Sequence, residues 1–436
     1  MHTPIATGPR PPVQSPYMYQ KTILPNGLRI VTAELPHTRS ATVSYYVGAG
    51  SRYERDEEAG LSHFLEHMLF KGASRRPTAQ DISEAIETVG GMHNAATDRE
   101  VTIYYAKVPD TAAAETIDIL SDMMRDPVMD GAELEKERHV ILEELAGIED
   151  SPAEMAGILI DETLWPRQPL GRNVGGTEES VKTLPLAAVN RYLRAQYQPE
   201  NMVLVVAGNV THAAVVEQAA RWLGDMPNGA PGPWFPVLPR PSGEGRLAIR
   251  NKETEQAHIC LAYPSVAASH PDRYAVDLLS TILGEGMSSR LFLELREERA
   301  LVYDVHSYPS EFRDTGAFTI YAGCDPENAR TTLEVTLSEI ERLLKAIPEK
   351  ELHKGKQMAR GRMQLRMEDT RSVAGWIGSQ ELLLNEVLTV DEVVARIDAV
   401  TLDDVLRLGR ELLQPARAVL AAVGPFEDDQ SFTGLI

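Results

Sequence analysis

The sequence predicts an α+β fold of two homologous domains, each an antiparallel sheet with helices packed mainly on one face. Three observations carry that prediction. Residues 186–208, LAAVNRYLRAQYQPENMVLVVAG, align without a gap on residues 402–424, LDDVLRLGRELLQPARAVLAAVG. Both read as amphipathic helix, Gln-Pro, buried strand and Gly, and they share the leading Leu, the Gln-Pro, a Val-Leu in the strand and the final Gly. Between the two copies, residues 226–245, MPNGAPGPWFPVLPRPSGEG, are too dense in Pro and Gly for a helix or a central strand, and they mark a linker. Short apolar or alternating runs, such as VTIYYAKV at 101–108 and AFTIYA at 317–322, alternate with helical patterns in each half. A chain of 436 residues also exceeds the size at which a single core keeps growing.

In order along the chain, residues 1–16 are polar and Pro-rich and predict a loose opening segment. Residues 17–225 form the first α+β domain, 226–245 the linker, and 246–436 the second domain. In the first, the strand from Thr42 to Gly48 precedes a long helix; in the second, AHICLAY at 257–263 does the same. The segment AGLSHFLEHMLFK at 59–71 has Leu61, Phe64, Leu65, Met68 and Leu69 at helical spacing. Residues 131–150, GAELEKERHVILEELAGIED, predict a second amphipathic helix.

Composition excludes several functions. With 43% hydrophobic and 25% charged residues the chain is an ordinary globular protein. A formal charge of −21 would repel a phosphate backbone or an anionic bilayer, so neither nucleic acid nor membrane is an expected partner. Cys260 and Cys324 stand far apart and outside any CxxC pattern, which indicates neither a disulfide scaffold nor a thiolate metal site. The opening residues lack an apolar core of signal-peptide type, and the expected location is cytoplasmic.

Chemistry concentrates in His63-Phe64-Leu65-Glu66-His67. His63 and His67 are at i and i+4, so both imidazoles leave one helical face a turn apart, the spacing that lets two ligands meet one tetrahedral ion. Glu66 lies on the same side, where a carboxylate reaches a metal-activated water without ligating the metal. A metal still needs a third protein ligand. The second helix offers Glu137 and Glu144, seven apart on one face, while Glu143 points about 100° away from Glu144.

These residues resemble those of the M16 metallopeptidases, nearest to mitochondrial processing peptidase β-subunits and their bacterial relatives, which are of the inverted-motif (inverzincin) kind. The likeness runs from about residue 20 to 425 through HFLEHMLFKG at 63–72, GGMHNAATDREVTIYYAKV at 90–108, EKERHVILEEL at 135–145, PLGRNVGGTEESV at 169–181 and SSRLFLELREERALVY at 288–303. It implies the LuxS/processing-peptidase-like metallohydrolase fold and a zinc ion held by His63, His67 and Glu144, with Glu143 as the fallback ligand. It further implies Glu66 as general base, Glu137 as a carboxylate that orients a histidine, Asn94 and Ala95 as edge-strand residues pairing with substrate backbone, and Arg296 and Tyr303 reaching the bound peptide near the scissile bond. The implied activity is zinc-dependent endopeptidase cleavage of peptides or unfolded precursor segments inside a dimeric chamber, formed by a homodimer. The competing expectation is a non-catalytic relative that serves as a structural or peptide-binding subunit.

Overall fold

The computed structural model describes residues 19–241, 245–427 and 431–436. The opening segment expected over 1–16 lies outside them. Six strands, β1 (Tyr19–Ile23), β2 (Arg29–Glu34), β3 (Ser40–Val47), β4 (Met92–Thr97), β5 (Thr102–Pro109) and β6 (Met202–Gly208), form one sheet in the order β1-β2-β6-β3-β5-β4. Five more, β7 (Leu247–Asn251), β8 (Ala257–Ser265), β9 (Val302–Glu311), β10 (Gly316–Cys324) and β11 (Val419–Gly424), form a second in the order β7-β11-β8-β10-β9. Setting β1 aside, the two orders superpose position by position. In each sheet one pair is parallel, β2 with β6 and β7 with β11, and the other pairings are antiparallel. The duplication seen in one helix-strand unit therefore extends over the sheet topology.

That unit is now concrete. The helices Leu186–Gln196 and Leu402–Leu412 each end before a Gln-Pro that opens a single 3-10 turn, at Pro199–Asn201 and Pro415–Arg417, and each leads into a strand buried along its whole length. A strand covered on both faces has no solvent side to alternate toward, which is why MVLVVAG and VLAAVG read as continuous apolar runs.

Both faces are covered because the halves exchange helices. One face of the first sheet packs on helices of its own half, with Tyr45, Phe64, Leu65, Leu120 and Val206 in that core. Its other face, Val31, Ala33, Tyr46, Val203 and Val205, is closed by Val373, Ala374, Ile377 and Leu382 of the helix Thr370–Leu384, which belongs to the second half. Reciprocally, Met155, Ala156, Ile160 and Leu164 of the first-half helix Pro152–Leu164 cover Cys260, Ala262, Val419 and Ala421 of the second sheet. Burying Val373, Ile377, Leu382, Met155, Ile160 and Leu164 at about 1.5–3 kcal/mol each is comparable with the whole net stability of a domain, about 5–15 kcal/mol. The Pro/Gly-rich linker thus separates the two sheets in sequence but not two independent cores. From Met226 to Pro241 it carries no helix or strand.

A buried ion network adds to the junction. Arg52 is fully buried; its guanidinium donates to Glu100 at 2.6 Å, to both oxygens of Asp314 at 2.6 and 2.7 Å, and to the Phe235 carbonyl in the linker at 2.8 Å. Among the described residues no helix is long and apolar enough to cross a membrane.

Candidate metal centre

The motif helix runs Leu61–Leu69 and buries Leu61, Phe64, Leu65, Met68 and Leu69, which leaves His63, Glu66 and His67 on its other side. Its start is built with care. Gly60 adopts a left-handed φ of 89°, and a Cβ there would fall 2.5 Å from the Gly175 carbonyl, so a side chain fits neither the backbone nor the space. The buried Glu54 carboxyl group then accepts from the first free N–H groups, Gly60 at 2.8 Å and Ser62 at 2.6 Å, donors that a helix N-terminus leaves without an intrahelical partner. The second helix, Gly131–Glu149, is capped by Asp130, which accepts from Ala132 and Glu133. Arg138 fixes it in place by donating to the Val181 and Leu184 carbonyls, its guanidinium lying over the Phe64 ring.

This packing brings His63, His67 and Glu144 together, with one ligand atom from each lying within 4.8 Å of the others. The two Nε2 atoms face each other at 3.3 Å. The nearer Glu144 oxygen is 3.6 Å from His63 Nε2 and 3.7 Å from His67 Nε2. His67 Nδ1 lies 2.9 Å from Glu137 Oε2, so that nitrogen carries the proton and Nε2 presents its lone pair. His63 Nδ1 is buried without a hydrogen-bond partner. If it carries the proton, two lone pairs confront each other at 3.3 Å; if Nε2 does, a buried lone pair is orphaned. A cation between the rings removes the first conflict. Two donors bound to one tetrahedral zinc at about 2.0–2.1 Å sit about 3.3–3.4 Å apart, so the donor set fits such an ion. Glu143 is not in this group and lines a neighbouring cleft.

The electrostatics suit the same arrangement. Burial, and secondarily His67, push the His63 pKa down to about 4, which keeps its ring neutral as a ligand must be. Burial raises the pKa of Glu66, opposed by the Thr97 hydroxyl, which donates to Glu66 Oε2. Glu144 keeps 47% of its side chain exposed against 7% for Glu137, so the group is open toward solvent on the Glu144 side.

Thr97 ends β4, the free edge of the first sheet, and ties that edge to the motif helix. Asn94 and Ala95 lie on this strand, and the Asn94 side chain accepts from the Ala95 N–H at 2.8 Å. Arg296 and Tyr303 lie elsewhere. Arg296 sits in a π-helical turn, Phe292–Glu298, stacked over Phe292 at 5.0 Å. Tyr303 is 62% exposed on β9, the edge strand that corresponds to β4. Neither shares a hydrogen bond, ion pair or ring contact with the metal group. Sequence reasoning passed over Thr97 and Lys71, whose ammonium lies 2.5 Å from Glu137 Oε1. A local signal existed for Lys71, four residues beyond His67; none did for Thr97.

Residues 29–178 match the family model described as Insulinase (Peptidase family M16), and 183–359 match that described as Peptidase M16 inactive domain. Over 418 residues the chain is 40% identical to a Streptomyces coelicolor protein named an uncharacterized zinc protease, covering 94% of this chain and 91% of that one. The chain belongs to peptidase family M16. The uncharacterized zinc protease YmxG of Bacillus subtilis is 36% identical over 413 residues, 94% of this chain and 98% of its own. Among solved structures, a protease from Helicobacter pylori superposes with a TM-score of 0.88 at 24% identity, covering 94% of this chain and 100% of that one. A Pseudomonas fluorescens structure described as a peptidase M16 inactive domain superposes at 0.84 with 19% identity, covering 94% and 98%. These two share the fold. His63, His67 and Glu144 all fall inside the stretch matched by the first M16 model, and the stretch matched by the second lacks the motif.

Proposed function

We propose that this M16 peptidase is a zinc-dependent metalloendopeptidase that hydrolyses peptides or unfolded precursor segments. The observation that carries the reading is the pair of Nε2 atoms facing at 3.3 Å with a Glu144 oxygen within 3.7 Å of both. His63, His67 and Glu144 would hold the ion, with Glu137 orienting His67 through Nδ1. When bound, zinc supplies Lewis acidity, polarising a carbonyl and making water a nucleophile near neutral pH.

The chain's own residues do the rest. Glu66, one turn beyond His63, next to His67 and held by Thr97, takes the proton of the attacking water and returns it to the leaving amine. Its raised pKa brings the carboxylate nearer the operating pH, where a base both accepts and releases a proton readily. The free edge of β4 offers Asn94 and Ala95 to an extended peptide as one more strand, and the Glu66–Thr97 bond places that edge beside the base. Arg296 and Tyr303, exposed on the second half and apart from their own metal group, fit a homodimer in which each copy's second half faces the other's metal centre across a closed chamber. Tyr303 there donates a hydrogen bond to the developing oxyanion. We place the enzyme in the cytoplasm, which accords with two buried, unpaired cysteines.

The test uses the purified full chain. Glu66→Gln retains zinc but loses cleavage of a flexible peptide, and His67→Ala loses both. Cleavage by Glu66→Gln at the parent rate would overturn the mechanism, and zinc retained without any hydrolysis by the parent chain would leave only the non-catalytic subunit.

A further inference from the structure

Glu137 is a buried carboxylate whose two oxygens are divided between two partners. Oε2 lies 2.9 Å from His67 Nδ1, and Oε1 lies 2.5 Å from Lys71 Nζ. Lys71 is four residues beyond His67, just past the last residue of the motif helix, where its N–H still donates to the Met68 carbonyl at 3.1 Å. One more turn of the same helical path therefore carries its ammonium to the same carboxylate that His67 uses.

We propose that Lys71 is a positioning residue of the metal centre, clamping Glu137 so that His67 is held with Nε2 turned toward His63 and Glu144. The inference rests on the zinc-peptidase reading. A glutamate side chain rotates about three bonds, and a single hydrogen bond to one oxygen leaves the carboxylate free to swing about that contact. A cation on the other oxygen fixes its plane. The ammonium also opposes the cost of burying the anion, which Glu137 with 7% of its side chain exposed would otherwise meet with one neutral imidazole. Lys71 keeps 23% of its side chain exposed, so it anchors from the rim rather than from the core. A carboxylate that wandered would release the His67 ring, and a ligand with free rotation binds a metal more weakly.

Zinc affinity is read by competition with a chromogenic chelator on metal-stripped full-length chain, with thermal unfolding of the metal-free protein measured in parallel. Lys71→Met should weaken zinc binding by about tenfold or more, within the range for loss of a partner behind a ligand. Lys71→Arg, which keeps a cation and N–H donors, should stay within about threefold of the parent. Lys71→Met should also lower metal-free stability, because it leaves the buried Glu137 anion without its cation, so affinity is compared only at a temperature where every variant is folded, and recovery by Lys71→Arg separates positioning from general loosening. Should Lys71→Met not fold, Lys71→Gln keeps an N–H donor on a shorter stem without the charge, and the same loss is expected of it. Parent-like zinc affinity in a folded Lys71→Met or Lys71→Gln overturns the proposal while leaving the functional reading intact. A parent chain that binds no zinc overturns both.

Discussion

Arg52 and Asp314, one from each half of the chain, meet through two hydrogen bonds of 2.6 and 2.7 Å from a single guanidinium nitrogen. Glu100 takes another nitrogen at 2.6 Å, and the Arg52 side chain is 0% exposed. Such a charge is tolerated only while its partners stay, because an unpaired buried ion is expensive. Asp314→Asn leaves Glu100 and the Phe235 carbonyl to balance Arg52 and should lower the unfolding free energy by about 1.5–3 kcal/mol, whereas replacing Arg52, Glu100 and Asp314 together by apolar residues should cost less than that single change. Urea unfolding of the two variants checks the order. A triple variant weaker than Asp314→Asn would mean that the network contributes more than its own desolvation.

A second prediction concerns Gly378 on the crossing helix. A Cβ there would lie 2.2 Å from Cε2 of Tyr46, so the ring occupies the space a side chain needs. Gly378→Ala gains helix propensity yet should destabilise by about 1–3 kcal/mol through overpacking. The added change Tyr46→Leu should recover part of the loss, and a double-mutant cycle measures that coupling.

Glu54 yields a pH dependence of stability. Burial pushes its pKa up to about 7 from 4.5, against the N–H bonds from Ser62 and Gly60 and the nearby Arg172 charge. Between those two values the folded chain keeps a proton that the unfolded chain has released. Because the folded state binds more protons there, this group's contribution to stability falls as pH rises from about 4.5 to about 7 and is level on either side. Glu54→Gln should flatten the slope of chemical denaturation midpoints across that window. An unchanged slope would assign it to other groups.

On the proposed mechanism, Thr97 sets the acid side of the activity profile. Its hydroxyl stabilises the ionised form of Glu66 against burial, and Glu66 must be ionised to accept a proton. Thr97→Val should therefore raise the pKa of Glu66 further and move the acid limb of kcat/KM to higher pH. A pH-rate profile on one peptide substrate shows this, and an acid limb that stayed in place would remove Glu66 from the base role.

Much of this centre was legible from local spacing. His63, Glu66 and His67 share a helical face by arithmetic, and Glu137 and Glu144 do so two turns apart. What brings the two helices together is the Arg138 anchor to Val181 and Leu184, a contact across more than forty residues that no periodicity announces. Thr97 was missed for the same reason, since its reach to Glu66 depends on where β4 passes the motif helix. The exchange of helices was hidden too. An amphipathic pattern shows that a face is covered but not by which sheet, and Thr370–Leu384 would read identically on either. The parallel pairs, β2 with β6 and β7 with β11, join strands far apart in sequence, where apolar content does not distinguish parallel from antiparallel neighbours.

The exchanged helices also set a schedule for synthesis. The strands of the first sheet have all left the ribosome once Gly208 has, but the helix that seals Val31, Tyr46 and Val203 begins only at Thr370. During that interval a wide apolar surface on the nascent chain stands bare, the condition under which chaperones bind and neighbouring chains stick. A C-terminal truncation ending before Thr370 would leave that surface permanently open, even though His63, His67 and Glu144 of the proposed metal centre had already been translated.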